Sequence, residues 1–312
     1  MKNSAASVRQ RLLNLSRKRR EDFNFVLTQY VIQRLLYRLS VSDYKDQFLL
    51  KGAMLFLVWT GDLHRPTKDV DLLGFGQNDV DILVADFKTI CGLDTDDGLV
   101  FDEGSIKGIQ IKEDALYQGV RVTGFAYLEK ARVSFQVDIG FGDAVTPKAE
   151  LATIPSFLDL PDPVIRTYPV YTVIAEKFQA MIALGIANSR IKDFYDIWVI
   201  ASGMALDGQL LVDAVSVTFT QRDSVCDDRP LTIFSDEFIQ NGNKQKQWAA
   251  FLNKNRLQSD MSFPELMGQL QAMLEPVYLT VAHEQKFSYK WNSAQWKWLG
   301  FSESKIGLGA GF

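Results

Sequence analysis

The sequence predicts an α+β fold, and three observations carry that prediction. Strand-like alternation of apolar and polar residues is confined to the first half of the chain. Five of the nine prolines fall between residues 147 and 169, a composition that marks a linker or an extended crossing segment and sets the domain boundary there. Beyond Pro169 the apolar residues recur mainly at helical spacing. The division predicts an N-terminal helical arm over 1–40, a mixed core over 41–150 and a helical C-terminal domain over 169–312. With 312 residues, 47% hydrophobic and 23% charged, the composition is that of a globular protein.

Taken in order, residues 7–39 have helical periodicity through Leu12, Leu13, Leu15, Phe23, Val26, Leu27, Tyr30, Val31 and Leu35. The 17–21 region divides them into two helices, with Arg20-Glu21-Asp22 opening the second. A short strand ending at Leu50 follows, then a turn at Lys51-Gly52 and a helix carrying Leu55 and Val58. A glycine at a strand-to-helix turn lets backbone N–H groups approach a phosphate closely. The next strand is Asp69-Val70-Asp71-Leu72-Leu73. Side chains alternate along a strand, so Asp69 and Asp71 share one face while Val70 and Leu72 enter the core. Carboxylates at this spacing suit a divalent cation that also grips phosphate oxygens; the alternative is a strand end with two solvated acids.

Residues 79–91 read as a crossover helix and the acidic loop 94–98 as solvated. Two strands, Gly119–Leu128 and Ala131–Ile139, are joined by a turn at Glu129-Lys130. Ser134, Gln136 and Asp138 share the polar face of the second, so Asp138 can join Asp69 and Asp71 as a third carboxylate. After the proline-rich segment, Val170, Ile174, Lys177, Met181 and Leu184 form one stripe of a helix. Lys177 in that stripe either snorkels to the surface or presents its cation to nucleotide phosphates. Asn188-Ser189 offers an N-cap for the helix that begins Arg190-Ile191-Lys192-Asp193. Asp193 and Asp196 lie on one face of it, and Lys192 and Asp196 have the spacing of a surface pair. Further helices are expected over 209–220, 245–255 and 263–283. Trp291, Trp296 and Trp298 are expected to pack against the body, and the glycine-rich stretch 307–311 to be a frayed tail.

Other chemistries find little support. Two histidines, His64 and His283, cannot build a multi-histidine zinc site, and the distant Cys91 and Cys226 have no metal-type spacing. They read as thiols of a reducing compartment. Neither a nucleophile elbow nor a Walker A loop is present. The start lacks the apolar core of a signal peptide, and no uncharged apolar run in the sequence spans a bilayer, so a cytoplasmic protein without a membrane partner is expected. The net charge of −4 argues against general nucleic-acid binding. Yet residues 1–20 hold Lys2, Arg9, Arg11, Arg17, Lys18, Arg19 and Arg20 without any acid. That arm is either a phosphate-contacting surface or a solvated helix face.

Four motifs in order, Lys51-Gly52-Ala53, Arg65-x-Thr67-x-Asp69-x-Asp71, Glu176-Lys177 and Lys192-Asp193-x-x-Asp196, resemble those of the AbiEii/AbiGii-type toxin nucleotidyltransferases, a group that includes the MenT toxins. The resemblance spans about residues 48–198. It implies a polymerase-beta-like nucleotidyltransferase core with a mostly helical C-terminal domain. It implies transfer of a nucleoside monophosphate from an NTP to an acceptor, for some members the 3′ end of tRNA, and a cognate antitoxin in a phage-defence pair. By the same resemblance Asp69 and Asp71 hold Mg²⁺ or Mn²⁺, with Asp138 an optional third ligand. Lys177 and Asp193 are catalytic, Gly52, Ala53, Arg65 and Thr67 bind nucleotide, and Lys192 and Asp196 give support. Ala53 departs from the family's Gly-Ser or Gly-Gly turn and removes a hydroxyl. Transfer to a protein or small molecule, and a non-catalytic nucleotide- or partner-binding module, are the competing readings.

Overall fold

The computed structural model describes residues 4–61, 63–112, 118–257 and 259–300; the stretch 307–311 lies outside them. The chain forms two compact units, one of residues 1–143 with 149–168 and the other of residues 144–148 with 169–312.

In the first unit, helix α1 (Ala5–Arg19) is capped by Ser4, whose side chain accepts from the Ser7 N–H, and ends at Arg20 in the left-handed conformation. Helix α2 (Phe23–Val41) is capped by Asp22, which accepts from the Phe25 N–H. The expected break thus falls at Arg20–Asp22, and Asp22 precedes the helix as its N-cap instead of lying in its first turn. Helix α2 is a core helix: Gln29, Gln33, Arg34 and Arg38 are buried along with Val26, Val31 and Leu35.

A seven-stranded mixed sheet completes the unit. Its strands are β1 (Phe48–Lys51), β2 (Val70–Gly74), β3 (Leu99–Lys112), β4 (Gln118–Leu128), β5 (Ala131–Phe141), β6 (Glu150–Thr153) and β7 (Val164–Thr167), in the order β3-β4-β5-β2-β1-β7-β6. Strand β2 runs antiparallel to β1 and parallel to β5. Helix α3 (Leu55–Thr60) follows β1 through a tight turn, and helix α4 (Val80–Cys91) is capped by Asp79.

Three features of this unit depart from the expectations. Strand β3 carries Gly104 and Gly108, and its pairing with β4 shifts between Asp102 and Lys107; such an irregularity breaks the period-two pattern that would reveal a strand. Strands β6 and β7 lie inside the proline-rich segment, where every proline falls outside the paired residues, as a missing N–H donor requires. The acidic loop is not solvated at Asp97. That carboxylate is 1% exposed and bonded by Arg38 Nη1 and Nη2 at 2.5 and 3.1 Å and by Arg34 Nε at 3.1 Å. A buried charge needs such partners, and they come from a helix some sixty residues upstream.

The second unit holds helices α5 (Val170–Leu184), α6 (Ile191–Gly203), α7 (Gly208–Gln221), α8 (Asp236–Ile239), α9 (Gly242–Asn255) and α10 (Phe263–Ala282), with a hairpin of β8 (Tyr289–Asn292) and β9 (Lys297–Gly300). Residues 170–187 are apolar enough to cross a membrane by length and composition, and half of that stretch is buried within the protein. Helix α10 starts with a capping box between Ser262 and Glu265. In the hairpin, Trp291 is buried and donates from Nε1 to the Ala201 carbonyl at 2.8 Å, so the tryptophans do pack inward.

Candidate active site

The site of the first unit grows from sheet register. On β2, Val70 and Leu72 are buried, which turns Asp71 to the other face, with Asp69 one residue before the strand. In the parallel ladder Asp71 stands opposite Asp138 of β5. Asp138 stands opposite Arg121 of β4, and Asp71 opposite Lys51 of β1. Residues directly opposite share a face, so four strands deliver one row in the order Arg121, Asp138, Asp71, Lys51. Two carboxylates lie between two cations.

Asp69, Asp71 and Asp138 each bring a carboxylate oxygen within 4.8 Å of the others. Among the described residues they are the one such group of three acids able to hold a metal ion. An all-carboxylate donor set suits Mg²⁺ or Mn²⁺, so the residues fit a divalent ion. Asp69 is oriented from behind: the Thr67 hydroxyl donates to its Oδ1 at 2.6 Å, and Gln29 of α2 donates to the Thr67 carbonyl at 2.5 Å. The direct partner of the Thr67 hydroxyl is therefore a carboxylate. Lys51, buried, reaches Asp143 at 3.1 Å. Gly52 has φ +75°, and a Cβ there would lie 2.0 Å from Asp71 Oδ2. Only glycine admits this approach of backbone to carboxylate. Ala53 is buried in the turn that follows, and Arg65 is half-exposed in the loop that leads to β2.

Arg121 is the site residue that sequence reading missed. Its Nε and Nη2 donate to Asp138 Oδ1 and Oδ2, both at 2.8 Å, and Gln136 Nε2 adds a bond to Oδ2 at 3.2 Å. The Asp138 hydrogen bonds, with the charges of Asp138, Asp69 and Asp71, hold the guanidinium above its usual range against the opposing effect of burial. A signal existed. A turn at Glu129-Lys130 that pairs Leu128 with Ala131 sets the register that puts Arg121 opposite Asp138. Beside this row, a cleft of about 670 Å³ is lined by Lys68, Lys107, Thr123, Gln136, Phe25 and Phe125 among others.

In the second unit the Lys177 Nζ donates to Asp193 Oδ1 at 2.6 Å and to Asp196 Oδ2 at 2.9 Å. Arg190 Nε lies 2.8 Å from Asp193 Oδ2. Asp193 and Asp196 are 1% and 0% exposed. Burial drives the Asp193 carboxyl upward, but the Lys177 and Arg190 charges outweigh it and leave it below the usual carboxylate range. Lys192 is exposed, so the surface pair expected between Lys192 and Asp196 gives way to a buried pair of Asp196 with Lys177. The helix begins at Ile191 after Arg190, while Asn188 Oδ1 accepts from the Arg190 N–H.

A mixed sheet thus gathers three carboxylates that could hold a metal ion beside a glycine turn. A family model described as the nucleotidyl transferase AbiEii toxin of type IV toxin–antitoxin systems matches residues 34–269. The chain belongs to this family and is a nucleotidyltransferase; membership implies an NTP substrate and an antitoxin partner. No curated protein gives a significant match. Among solved structures, JHP933 from Helicobacter pylori is similar with a TM-score of 0.48 and 13% identity, over 83% of this chain and 94% of that one. A second solved structure from H. pylori, described as that of a nucleotidyltransferase, is similar with a TM-score of 0.47 and 12% identity, over 84% and 98%.

Proposed function

We propose that this nucleotidyltransferase moves a nucleoside monophosphate from an NTP to the 3′ end of RNA, with tRNA as the acceptor, and acts as the toxin of a phage-defence pair. The observation that carries the reading is the carboxylate group of Asp69, Asp71 and Asp138 within 4.8 Å. A divalent ion, Mg²⁺ or Mn²⁺, on Asp69 and Asp71 would supply charge neutralisation on the triphosphate and help activate the attacking hydroxyl.

The chain's own residues do the positioning. Thr67 fixes the rotamer of Asp69 through its hydroxyl. Gly52 leaves room for Asp71 and for backbone N–H groups to approach phosphate, with Arg65 as a further cation for it. The cleft lined by Lys68 and Lys107 receives the acceptor: two lysines meet its phosphates, and Phe25 is an aromatic side chain of its lining on which a base can stack. Lys177 and Asp193 act as catalytic residues of the second unit, with Asp196 and Lys192 in support.

The test incubates the protein with Mg²⁺, each labelled NTP in turn and total tRNA. Label is expected on tRNA, with a loss of about 10²-fold or more in Asp69→Asn. Label on the protein itself or on a small molecule would move the function to those acceptors. NTP binding without transfer would leave a non-catalytic module. A Lys177→Met/Asp193→Asn/Asp196→Asn variant removes the buried charges of that cluster together, and Arg190, which also meets Asp193, is 37% exposed. If it folds and transfers normally, the cluster is structural and Lys177 and Asp193 leave the mechanism.

A further inference from the structure

We propose that Arg121 is a positioning residue that withholds Asp138 from metal in the resting site. The inference rests on the metal-assisted reading above and assigns a control over that same site.

The geometry is specific. Both oxygens of Asp138 accept from the Arg121 guanidinium at 2.8 Å, and Gln136 takes a further position on Oδ2. Bidentate guanidinium–carboxylate pairs are the stronger, directionally fixed kind. A divalent ion bound through Asp138 would have to share its oxygens with that guanidinium and stand beside a like charge, an arrangement that disfavours binding. Lys51 already sits in register beside Asp71 on the other side of the row and reaches Asp143. Asp69, by contrast, accepts from the neutral Thr67 hydroxyl, which orients a carboxylate without cancelling its charge. Asp69 and Asp138 are therefore not equivalent, although both belong to the same group of three acids.

The Arg121 side chain is 37% exposed while that of Asp138 is 12% exposed, so the arginine is the partner able to move. A guanidinium fork matches phosphate oxygens as well as a carboxylate, so a triphosphate can compete with Asp138 for it. Transfer of the fork from Asp138 to the incoming nucleotide would free the third carboxylate when the substrate arrives. An ordinary cross-strand pair on a sheet face makes no such prediction, because its removal has little effect beyond a small change in stability.

The experiment measures Mn²⁺ binding, without nucleotide, by the loss of the free-ion electron paramagnetic resonance signal. It compares the wild-type chain, Arg121→Gln and Arg121→Gln/Asp138→Asn, each checked for folding by circular dichroism. Arg121→Gln is expected to bind Mn²⁺ about tenfold more tightly, the size of effect seen when groups behind a metal ligand change. The double variant is expected to return to within about threefold of wild type. Equal or weaker affinity in Arg121→Gln overturns the proposal, as does a gain that persists in the double variant. Should Arg121→Gln not fold, the double variant decides: a loss beyond about threefold would mean Asp138 is already a ligand. Failure of every form to bind Mn²⁺ would instead sink the metal-assisted reading itself.

Discussion

At the scale of single residues, the site depends on what is absent at Gly52 as much as on what is present at Asp69 and Asp71. The left-handed φ of +75° and the 2.0 Å approach of Asp71 Oδ2 to the place of a Cβ make two separate demands for glycine. Gly52→Ala is expected to displace the Asp71 carboxylate and lower nucleotidyl transfer by about 10²-fold, the cost of roughly an ångström of misplacement. Backbone strain should lower stability by about 1–2 kcal/mol. Transfer assays and urea unfolding read the two effects separately, and normal turnover in a folded variant would show that Asp71 does not need this position. The glycine was legible in the sequence as a strand-to-turn residue. Its partner was not, because the contact spans two strands.

At the scale of elements, helix α2 has roles that its sequence conceals. It buries Arg34 and Arg38 against Asp97 and passes a hydrogen bond from Gln29 to the loop that orients Asp69. Removing one member of a buried ion group leaves the others uncompensated, so Asp97→Asn is expected to destabilise the protein by about 3 kcal/mol. Burial alone would raise the Asp97 carboxyl. The hydrogen bonds and charge of Arg38, with the Thr95 hydroxyl and the Leu99 N–H, hold it below its ordinary 3.8. A carboxyl depressed in the folded state contributes stability that is complete above the unfolded value and lost as pH falls through the folded one. Urea midpoints of the wild type should therefore fall below about pH 4 by more than those of Asp97→Asn. Parallel curves would remove Asp97 from the acid response. Periodicity located α2 correctly but gave no hint of its polar burial, since a charged residue in a helical pattern ordinarily marks the solvent side.

At the scale of the whole molecule, a chain of net charge −4 carries a cluster of cations at the end of α1. Arg17, Lys18, Arg19 and Arg20 are all exposed. Cations in the last turn also suit the helix dipole, so their presence has a purely local explanation. Binding of an RNA acceptor adds a distinct signature, the release of counterions. Replacing these four residues by glutamine is expected to weaken tRNA binding and to flatten the plot of log affinity against log salt by about 0.7–0.9 for each phosphate no longer neutralised. A binding curve with the same salt slope would return the arm to its local role.

The sequence by itself determined the α+β class, the break between the first two helices, the exposure of Asp69 and Asp71 to one face, and the family through its ordered motifs. These are written in short-range spacing, where chain geometry permits few alternatives. The tertiary structure alone decided the row of Arg121, Asp138, Asp71 and Lys51, the burial of Asp97 and Asp196, and the return of the proline-rich segment to the sheet. Each depends on strand register or on partners tens of residues away. A charge's environment is set by whichever groups the fold brings beside it, and no local pattern encodes which those are.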